Sequence, residues 1–148
     1  MYNEIVLAGF GGQGVLLDAV LDANEHLTGT VFDQAHVVAE TPTRGSVASR
    51  WAAMSGSFFD AVPPADAYLL KAILHDWEDD RCIEILRTCV RSLNDGGVVL
   101  VVEMLLGRPG HEVEAAFSDL NMLVLPGGRE RSEQPFAALF DTAGPPLP

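Results

Sequence analysis

Positive charge is scarce in this 148-residue sequence, which has nine Lys and Arg against 21 Asp and Glu and a formal net charge of −12. Binding to phosphate backbones requires a basic face, so this balance argues against a nucleic-acid partner and also disfavours anionic membrane surfaces. Cysteine is equally sparse. The two cysteines, Cys82 and Cys89, lie seven residues apart in a helical pattern, which is too far for an easy disulfide. They are interpreted as reduced core thiols of a cytoplasmic protein, and no metal site is predicted.

Long apolar runs are also missing, because none approaches the roughly 18 residues that a membrane span requires. The first residues lack the basic flank and cleavage pattern of a signal peptide. What is present is 48% hydrophobic and 20% charged residues, a composition typical of a compact fold. The length predicts one domain, residues 1–148, with a sizeable core.

The chain opens with a strand, a glycine-rich turn and a helix. Residues 5–8 are apolar, residues 9–14 read GFGGQG, and residues 15–23 follow a helical pattern. A second strand is predicted at residues 30–32, and Asp33 at its end lies 19 residues beyond Gly14. An acid about 20 residues past such a turn is placed to bind ribose hydroxyls, which favours nucleotide binding. The alternative is a tight turn followed by a helix-capping aspartate.

The remaining chain continues the alternation of strands and helices. Further strands are predicted at residues 51–54, 67–70 and 98–102, with helices at 79–93, 112–125 and 132–143 and a short one near 37–40. The unbroken β-branched run at 98–102 is interpreted as a central or sandwiched parallel strand. Five strands alternating with helices predict an α/β fold with a doubly wound, mostly parallel sheet in three layers.

A cluster of reactive residue types follows the predicted fourth strand. Lys71, His75, Asp76 and Trp77 lie within seven residues, just before a helix. This position corresponds to the carboxyl edge of a parallel sheet, where open α/β sheets bind ligands. The alternative is that His75 and Trp77 only fill the loop, but a base, an acid and an aromatic together favour a functional site.

Several ordered blocks carry a family resemblance. LKAILHDW at 70–77 and CIEIL at 82–86, with blocks at 29–33, 56–63, 101–103 and 119–131, resemble S-adenosylmethionine-dependent O-methyltransferases that act on plant phenolics and bacterial aromatic polyketides. The resemblance implies a Rossmann-like methyltransferase core and S-adenosylmethionine as cofactor. It also implies transfer of a methyl group to a hydroxyl of a small aromatic or polyketide substrate, and a possible homodimer.

The resemblance also implies roles for individual residues. His75 corresponds to the general base, and Glu103 and Glu130 to the acids that flank it. Glu103 has the alternative of capping the sheet edge, and Glu130 that of a solvated loop charge paired with a neighbouring arginine. Asp76 corresponds to the substrate side of the pocket, or else caps the start of the following helix.

The other implied positions bind cofactor and substrate. The cofactor-binding set comprises Gly12, Gly14, Asp33, Ser57, Phe58, Lys71 and Trp77. Phe58 is almost as well explained as plain core. Asn121 and Met122 correspond to the substrate-facing side, where a thioether suits a flat aromatic ring, although Met122 is also a natural core residue.

The sequence departs from the family pattern at three places. Ala8 and Phe10 stand where the family has an acid and a glycine. The helical N-terminal dimerisation domain and the final pair of strands are missing, so the fifth strand is also a candidate exposed edge. Residues 4–17 resemble instead the gamma subunit of 2-oxoacid:ferredoxin oxidoreductases, and residues 43–46 do so loosely. That resemblance implies a non-catalytic module of a larger oxidoreductase, and an inactive methyltransferase fragment is the third alternative.

Overall fold

The computed structural model describes residues 2–9, 14–41, 45–124 and 126–144. Within these ranges there are five strands and five α-helices, which alternate along most of the chain. The strands are β1 (Glu4–Gly9), β2 (Thr28–Asp33), β3 (Trp51–Ser55), β4 (Ala65–Lys71) and β5 (Leu93–Val102). The helices are α1 (Val15–Ala23), α2 (Ala35–Ala39), α3 (Asp79–Ser92), α4 (Glu112–Val124) and α5 (Glu133–Ala143). Short 3-10 helices cover Gly45–Arg50 and Leu74–Asp76.

The strands form one parallel sheet in the order β3-β2-β1-β4-β5. The predicted doubly wound α/β fold is therefore confirmed. The chain builds outward from β1 through β2 to β3, then returns to the other side of β1 with β4 and β5. The reversal lies between β1 and β4, and ligands bind open α/β sheets at the carboxyl edge beside such a reversal.

Hydrophobic cores lie on both faces of the sheet, which gives three layers. On one face, Leu17 and Leu21 of α1 pack against Leu7 and Val31. On the other face, buried residues of α3 and α5 pack against apolar side chains of β1 and β4. Strands covered on both sides need apolar residues on both sides, which explains the short continuous apolar runs in β1, β2 and β4.

The interpretation of residues 98–102 as a central strand is wrong. Within the described sheet, β5 pairs with β4 alone and forms an edge, so the exposed-edge alternative is the one the structure supports. Val99 and Val101 pack against the α3 side, whereas Leu100 and Val102 are 51% and 48% exposed. β-Branched residues favour an extended backbone both at the edge and in the middle of a sheet, so such a run does not indicate where in the sheet the strand lies.

The predicted end of α3 also shifts. The helix ends at Ser92, and β5 begins at Leu93, so the Asn-Asp-Gly-Gly turn at 94–97 lies within the bounds of the strand. The pairing of β4 with β5 is irregular there. A Cβ on Gly97 would lie 2.8 Å from the carbonyl oxygen of Asp66, so the close approach of the two strands requires glycine.

Asp66 links neighbouring strands at the amino-terminal edge of the sheet through hydrogen bonds. Its carboxylate accepts hydrogen bonds from the backbone N–H groups of Asn3 (2.6 Å) and Glu4 (3.0 Å) and from the Asn94 side chain (2.8 Å). The Asn94 bond, followed by the two backbone bonds, lowers the pKa of Asp66 below its usual value. One side chain thus joins three strands.

Helix α4 carries an apolar stripe that the described residues do not cover. Val113, Phe117, Leu120 and Val124 recur at helical spacing and are each more than half exposed. Among the described helices, none is long and apolar enough to cross a membrane.

Candidate active site

His75 is positioned by a tight 3-10 helix directly after β4. Ala72 has a positive φ of 53°, which turns the chain out of the strand, and the fully buried Leu74 anchors the loop in the core. Glu103 Oε1 accepts hydrogen bonds from the backbone N–H groups of Ile73 (2.9 Å) and Leu74 (2.8 Å). The carboxylate is available there because β5 runs parallel beside β4, with Val102 paired with Lys71.

The loop that carries Glu130 is packed directly on this turn. The backbone N–H of Arg129 donates to the carbonyl oxygen of His75 at 2.9 Å. A Cβ on Gly128 would lie 1.9 Å from that same oxygen, so only glycine permits the contact. Gly128 is therefore required for the close approach of the Glu130 loop to the His75 turn.

A buried arginine joins the same two segments. Arg131 donates to the carbonyl oxygens of Leu74 (3.0 Å) and Trp77 (2.7 Å), and it pairs with Asp79 Oδ1 at 2.7 Å. Its side chain is 2% exposed, whereas the neighbouring Arg129 lies at the surface and pairs with Glu78. Sequence reasoning missed the contribution of Arg131, because its contacts bridge more than fifty residues and leave no local pattern.

The imidazole of His75 is surrounded by carboxylates. Its Nδ1 lies 3.0 Å from Glu130 Oε1 and 3.5 Å from Glu103 Oε2, and its Nε2 lies 3.5 Å from Asp76 Oδ1. The ring is 12% exposed, and the side chains of Glu103 and Glu130 are almost completely buried. The structure thus brings the three predicted catalytic residues together. It contradicts the alternative of Glu130 as a solvated loop charge.

Burial and the histidine set the protonation of the flanking acids. Burial raises the pKa of Glu103, while His75 and the two backbone donors oppose that shift. Burial also raises the pKa of Asp76, again opposed by His75. The capping alternative for Asp76 is wrong, because the N-cap position of α3 is Glu78 and α3 begins at Asp79.

Two α4 residues that sequence reasoning missed hold Glu130 in place. Ser118 Oγ donates to Glu130 Oε1 at 2.6 Å, and Asp119 Oδ1 accepts from the Glu130 backbone N–H at 2.8 Å. Asp119 opens the 119–131 block that carried the resemblance, and its place in that block was the available signal.

The predicted cofactor residues that the structure describes are spread along one edge of the sheet. Asp33 ends β2 and Lys71 ends β4, and both are level with the end of β1 between them. Gly14, with a φ of +79°, precedes α1. Because all strands are parallel, Asp33 and the His75 turn emerge at the same edge, as predicted. Gly12 lies outside the described residues.

The aromatic candidates lie beyond the ends of β3 and β4. Ser57 and Phe58 follow β3, and Phe58 packs edge-on against the core residue Phe32 with 5.3 Å between ring centroids. Trp77 is half-buried and packs edge-on against Phe59 at 4.9 Å. Both rings are half-buried and pack against the core.

The predicted substrate residues Asn121 and Met122 lie in α4. Asn121 is exposed and Met122 is half-buried. The carbonyl oxygen of Met122 accepts from the N–H groups of Gly127 (2.9 Å) and Gly128 (3.1 Å), so the backbone of this helix supports the Glu130 loop.

Comparison with known proteins decides the family. A family model described as the O-methyltransferase domain matches residues 3–145. The chain belongs to the O-methyltransferase family. The matched range includes residues 4–17, so the family assignment accounts for the stretch that resembles an oxidoreductase gamma subunit, and the methyltransferase interpretation is supported over that alternative.

Plant and bacterial enzymes are among the relatives of this O-methyltransferase domain. Norreticuline-7-O-methyltransferase of Papaver somniferum is 39% identical over 137 residues, which are 90% of this chain and 37% of that protein. Mitomycin 7-O-methyltransferase MmcR is 39% identical with a TM-score of 0.87, covering 97% of this chain and 43% of that one. NcsB1, solved with S-adenosyl-L-homocysteine and 1,4-dihydroxy-2-naphthoic acid, is 39% identical with a TM-score of 0.82, covering 95% and 43%. The chain thus spans about two fifths of the length of these relatives.

Proposed function

We propose that residues 1–148 are the cofactor-binding core of an S-adenosylmethionine-dependent O-methyltransferase acting on a hydroxyl of a small aromatic or polyketide substrate. The observation that carries the proposal is the imidazole of His75 held between Glu103, Glu130 and Asp76 at the carboxyl edge of the sheet. Family membership supports the reaction class.

The geometry favours His75 as the general base. A proton on Nδ1, donated to Glu130 Oε1 at 3.0 Å, leaves the lone pair of Nε2 available for the substrate hydroxyl. A phenol attacks far better once its proton is shared with a base such as this imidazole. When the proton moves to Nε2, the ring becomes a cation, and the three carboxylates stabilise it by charge.

The described residues fit S-adenosylmethionine at its nucleoside end. Asp33 is half-buried at the end of β2, where its carboxylate can accept ribose hydroxyls. Ser57, Phe58 and Trp77 offer a hydroxyl and two half-buried rings for the adenine. Lys71 ends β4 and Gly14 precedes α1. When bound, this cofactor supplies an electrophilic methyl group on a sulfonium. Residue 8 is a buried alanine, so this position offers no carboxylate to the methionine end.

Cofactor binding is tested by calorimetry with S-adenosylhomocysteine. We expect heat that saturates at one ligand per chain and is lost in Asp33→Asn, because the amide is a poorer acceptor for two ribose hydroxyls. Asp60→Asn is the matched control, since Asp60 is exposed at the surface. Absence of heat at millimolar ligand would contradict the binding half of the proposal.

The base is tested by methyl transfer to 1,4-dihydroxy-2-naphthoic acid, the aromatic bound in NcsB1. His75→Gln should abolish turnover while leaving the S-adenosylhomocysteine affinity unchanged. His111→Gln, an exposed histidine, should leave both unchanged. Equal turnover in His75→Gln and the parent chain would remove His75 from this role.

The homodimer implied by the resemblance is also part of the proposal. The exposed apolar stripe of α4 supports association through that helix. Sedimentation of the chain and of Phe117→Glu tests it: the parent should sediment as a dimer and the variant as a monomer, whereas monomers in both would contradict the dimer.

A further inference from the structure

Three donor atoms of the site are arranged as metal ligands are. Nitrogen or oxygen atoms of His75, Glu103 and Glu130 all lie within 4.8 Å of one another. His75 Nδ1 lies 3.5 Å from Glu103 Oε2 and 3.0 Å from Glu130 Oε1. A tetrahedral Zn²⁺ with bonds of about 2.0–2.1 Å separates neighbouring donors by about 3.3 Å. The two separations from His75 Nδ1, 3.5 Å and 3.0 Å, are therefore close to the edge length of a zinc coordination shell.

Two buried oxygens in this cluster lack a hydrogen-bond partner. Within the described part of the chain, Glu103 Oε2 and Glu130 Oε2 are buried and accept no hydrogen bond. The Glu103 side chain is 3% exposed, and its unpaired oxygen is the one that faces His75 Nδ1. Buried carboxylate oxygens are normally satisfied, so an unpaired one aimed at a ring nitrogen points to a ligand between them.

The charge of the cluster points the same way. Glu103 and Glu130 have no lysine or arginine within ion-pair distance among the described residues, and His75 is the side chain that both of them contact. With a neutral imidazole the three ligands carry a charge of −2, which a divalent cation neutralises. Burial makes such neutralisation favourable, because unpaired buried charges are costly.

We propose that His75 Nδ1, Glu103 and Glu130 bind a divalent transition-metal ion of the zinc class, and that the bound ion switches the base off. A metal on Nδ1 places the ring proton on Nε2, so Nε2 no longer has a lone pair for a substrate hydroxyl. The inhibitory part rests on the proposed function of His75, whereas the binding part does not.

The donor set selects zinc over magnesium. One imidazole nitrogen and two carboxylates, with a fourth position for water, are the ligands of open zinc sites. Mg²⁺ requires octahedral oxygen ligands and dehydrates reluctantly, which a buried site with a nitrogen donor opposes. The thiols of Cys82 and Cys89 are fully buried, and Cys82 Sγ donates to the carbonyl oxygen of Leu74 at 3.1 Å.

Binding is measured on the metal-stripped chain without any activity assay. Calorimetry with Zn²⁺ should give one site per chain, and Co²⁺ used as a probe should give the intense visible absorption of a four-coordinate ion. His75→Gln should abolish the Co²⁺ spectrum. Loss of a residue that only hydrogen-bonds to a metal ligand lowers metal affinity by roughly 10–100-fold. Because Glu130 is itself a proposed ligand, Glu130→Gln should weaken Zn²⁺ binding by more than that.

Matched surface variants serve as controls. His111→Gln and Glu114→Gln change the same residue types at exposed positions and should leave Zn²⁺ affinity and the Co²⁺ spectrum unchanged. Circular dichroism checks that each variant folds, and if Glu130→Gln does not fold, His75→Gln decides alone. Undiminished Zn²⁺ binding in His75→Gln, or a weak octahedral Co²⁺ spectrum in the parent chain, would overturn the proposal.

The inhibitory part has its own measurement. Methyl transfer by the stripped chain should fall as Zn²⁺ saturates the site and return with a chelator, while S-adenosylhomocysteine binding is unaffected. Zinc binding at His75 with no turnover in the metal-free chain would leave the metal site standing and count against the proposed base. Turnover that continues with the site saturated would overturn the switch alone.

Discussion

Replacing Arg131 with alanine should destabilise the protein far more than the same change at Arg129. Arg131 donates to the carbonyl oxygens of Leu74 and Trp77 from a buried position. Hydrogen bonds from a charged donor contribute about 1.5–3 kcal/mol each, so losing both costs about 3–6 kcal/mol. The pair with Asp79 adds at most about 1 kcal/mol, because that carboxylate is half exposed. We therefore expect Arg131→Ala to lose about 4 kcal/mol of a total that is about 5–15 kcal/mol.

Urea unfolding monitored by tryptophan fluorescence measures this loss. With an m-value of about 2 kcal/mol/M, the midpoint of Arg131→Ala should fall by about 2 M. Arg129→Ala removes an arginine whose partner Glu78 is also at the surface, so it should change stability by less than about 1 kcal/mol. Equal midpoints for the two variants would refute the assignment of Arg131 as the buried link between the two loops.

Three further outcomes follow from the structure. Gly128→Ala should lower both methyl transfer and stability, because its Cβ would overlap the His75 carbonyl oxygen. The urea unfolding midpoint and the turnover rate measure these effects, and a variant with the parent's values would contradict the contact. Burial raises the pKa of Cys82 to about 11 and that of Cys89 to about 12. Iodoacetamide at pH 8 should therefore label neither thiol until urea unfolds the chain. Rapid labelling of the native protein would show that the thiols are accessible. The pKa of Asp66 is lower in the folded protein than its unfolded value of 3.8. The ionised carboxylate therefore stabilises the fold at pH values above 3.8, and this stabilisation is lost as the pH falls through the folded pKa. The midpoint difference between the parent chain and Asp66→Asn should therefore shrink from pH 7 to pH 3, and a constant difference would argue against the shift.

Local patterns predicted the order of elements because each strand and helix is encoded by its own periodicity. The apolar runs of β1 and β4, the helical face of α3 and the position of His75 after β4 all depend on neighbouring residues in the chain. The parallel arrangement of the sheet then brings Asp33 and His75 to one edge without further information.

Contacts between distant segments were not predictable in the same way. The edge position of β5 depends on whether another strand pairs with it, which the β-branched run at 98–102 does not encode. Ser118, Asp119 and Arg131 acquire their roles only when α4 and the loop after it fold onto the His75 turn. Single polar residues with long-range partners leave no periodic signal, so the structure was needed to find them.

The hydrogen bond between Arg129 N–H and the His75 carbonyl oxygen, with Gly128 seated against that oxygen, has a consequence for protein engineering. Residues 72–79 and 126–131 interlock through backbone atoms, so neither segment keeps its shape without its counterpart. A chimaera that exchanges one segment with a relative would leave the other unsupported. Any transplant of this site into another scaffold must therefore move both segments together, as a single cassette.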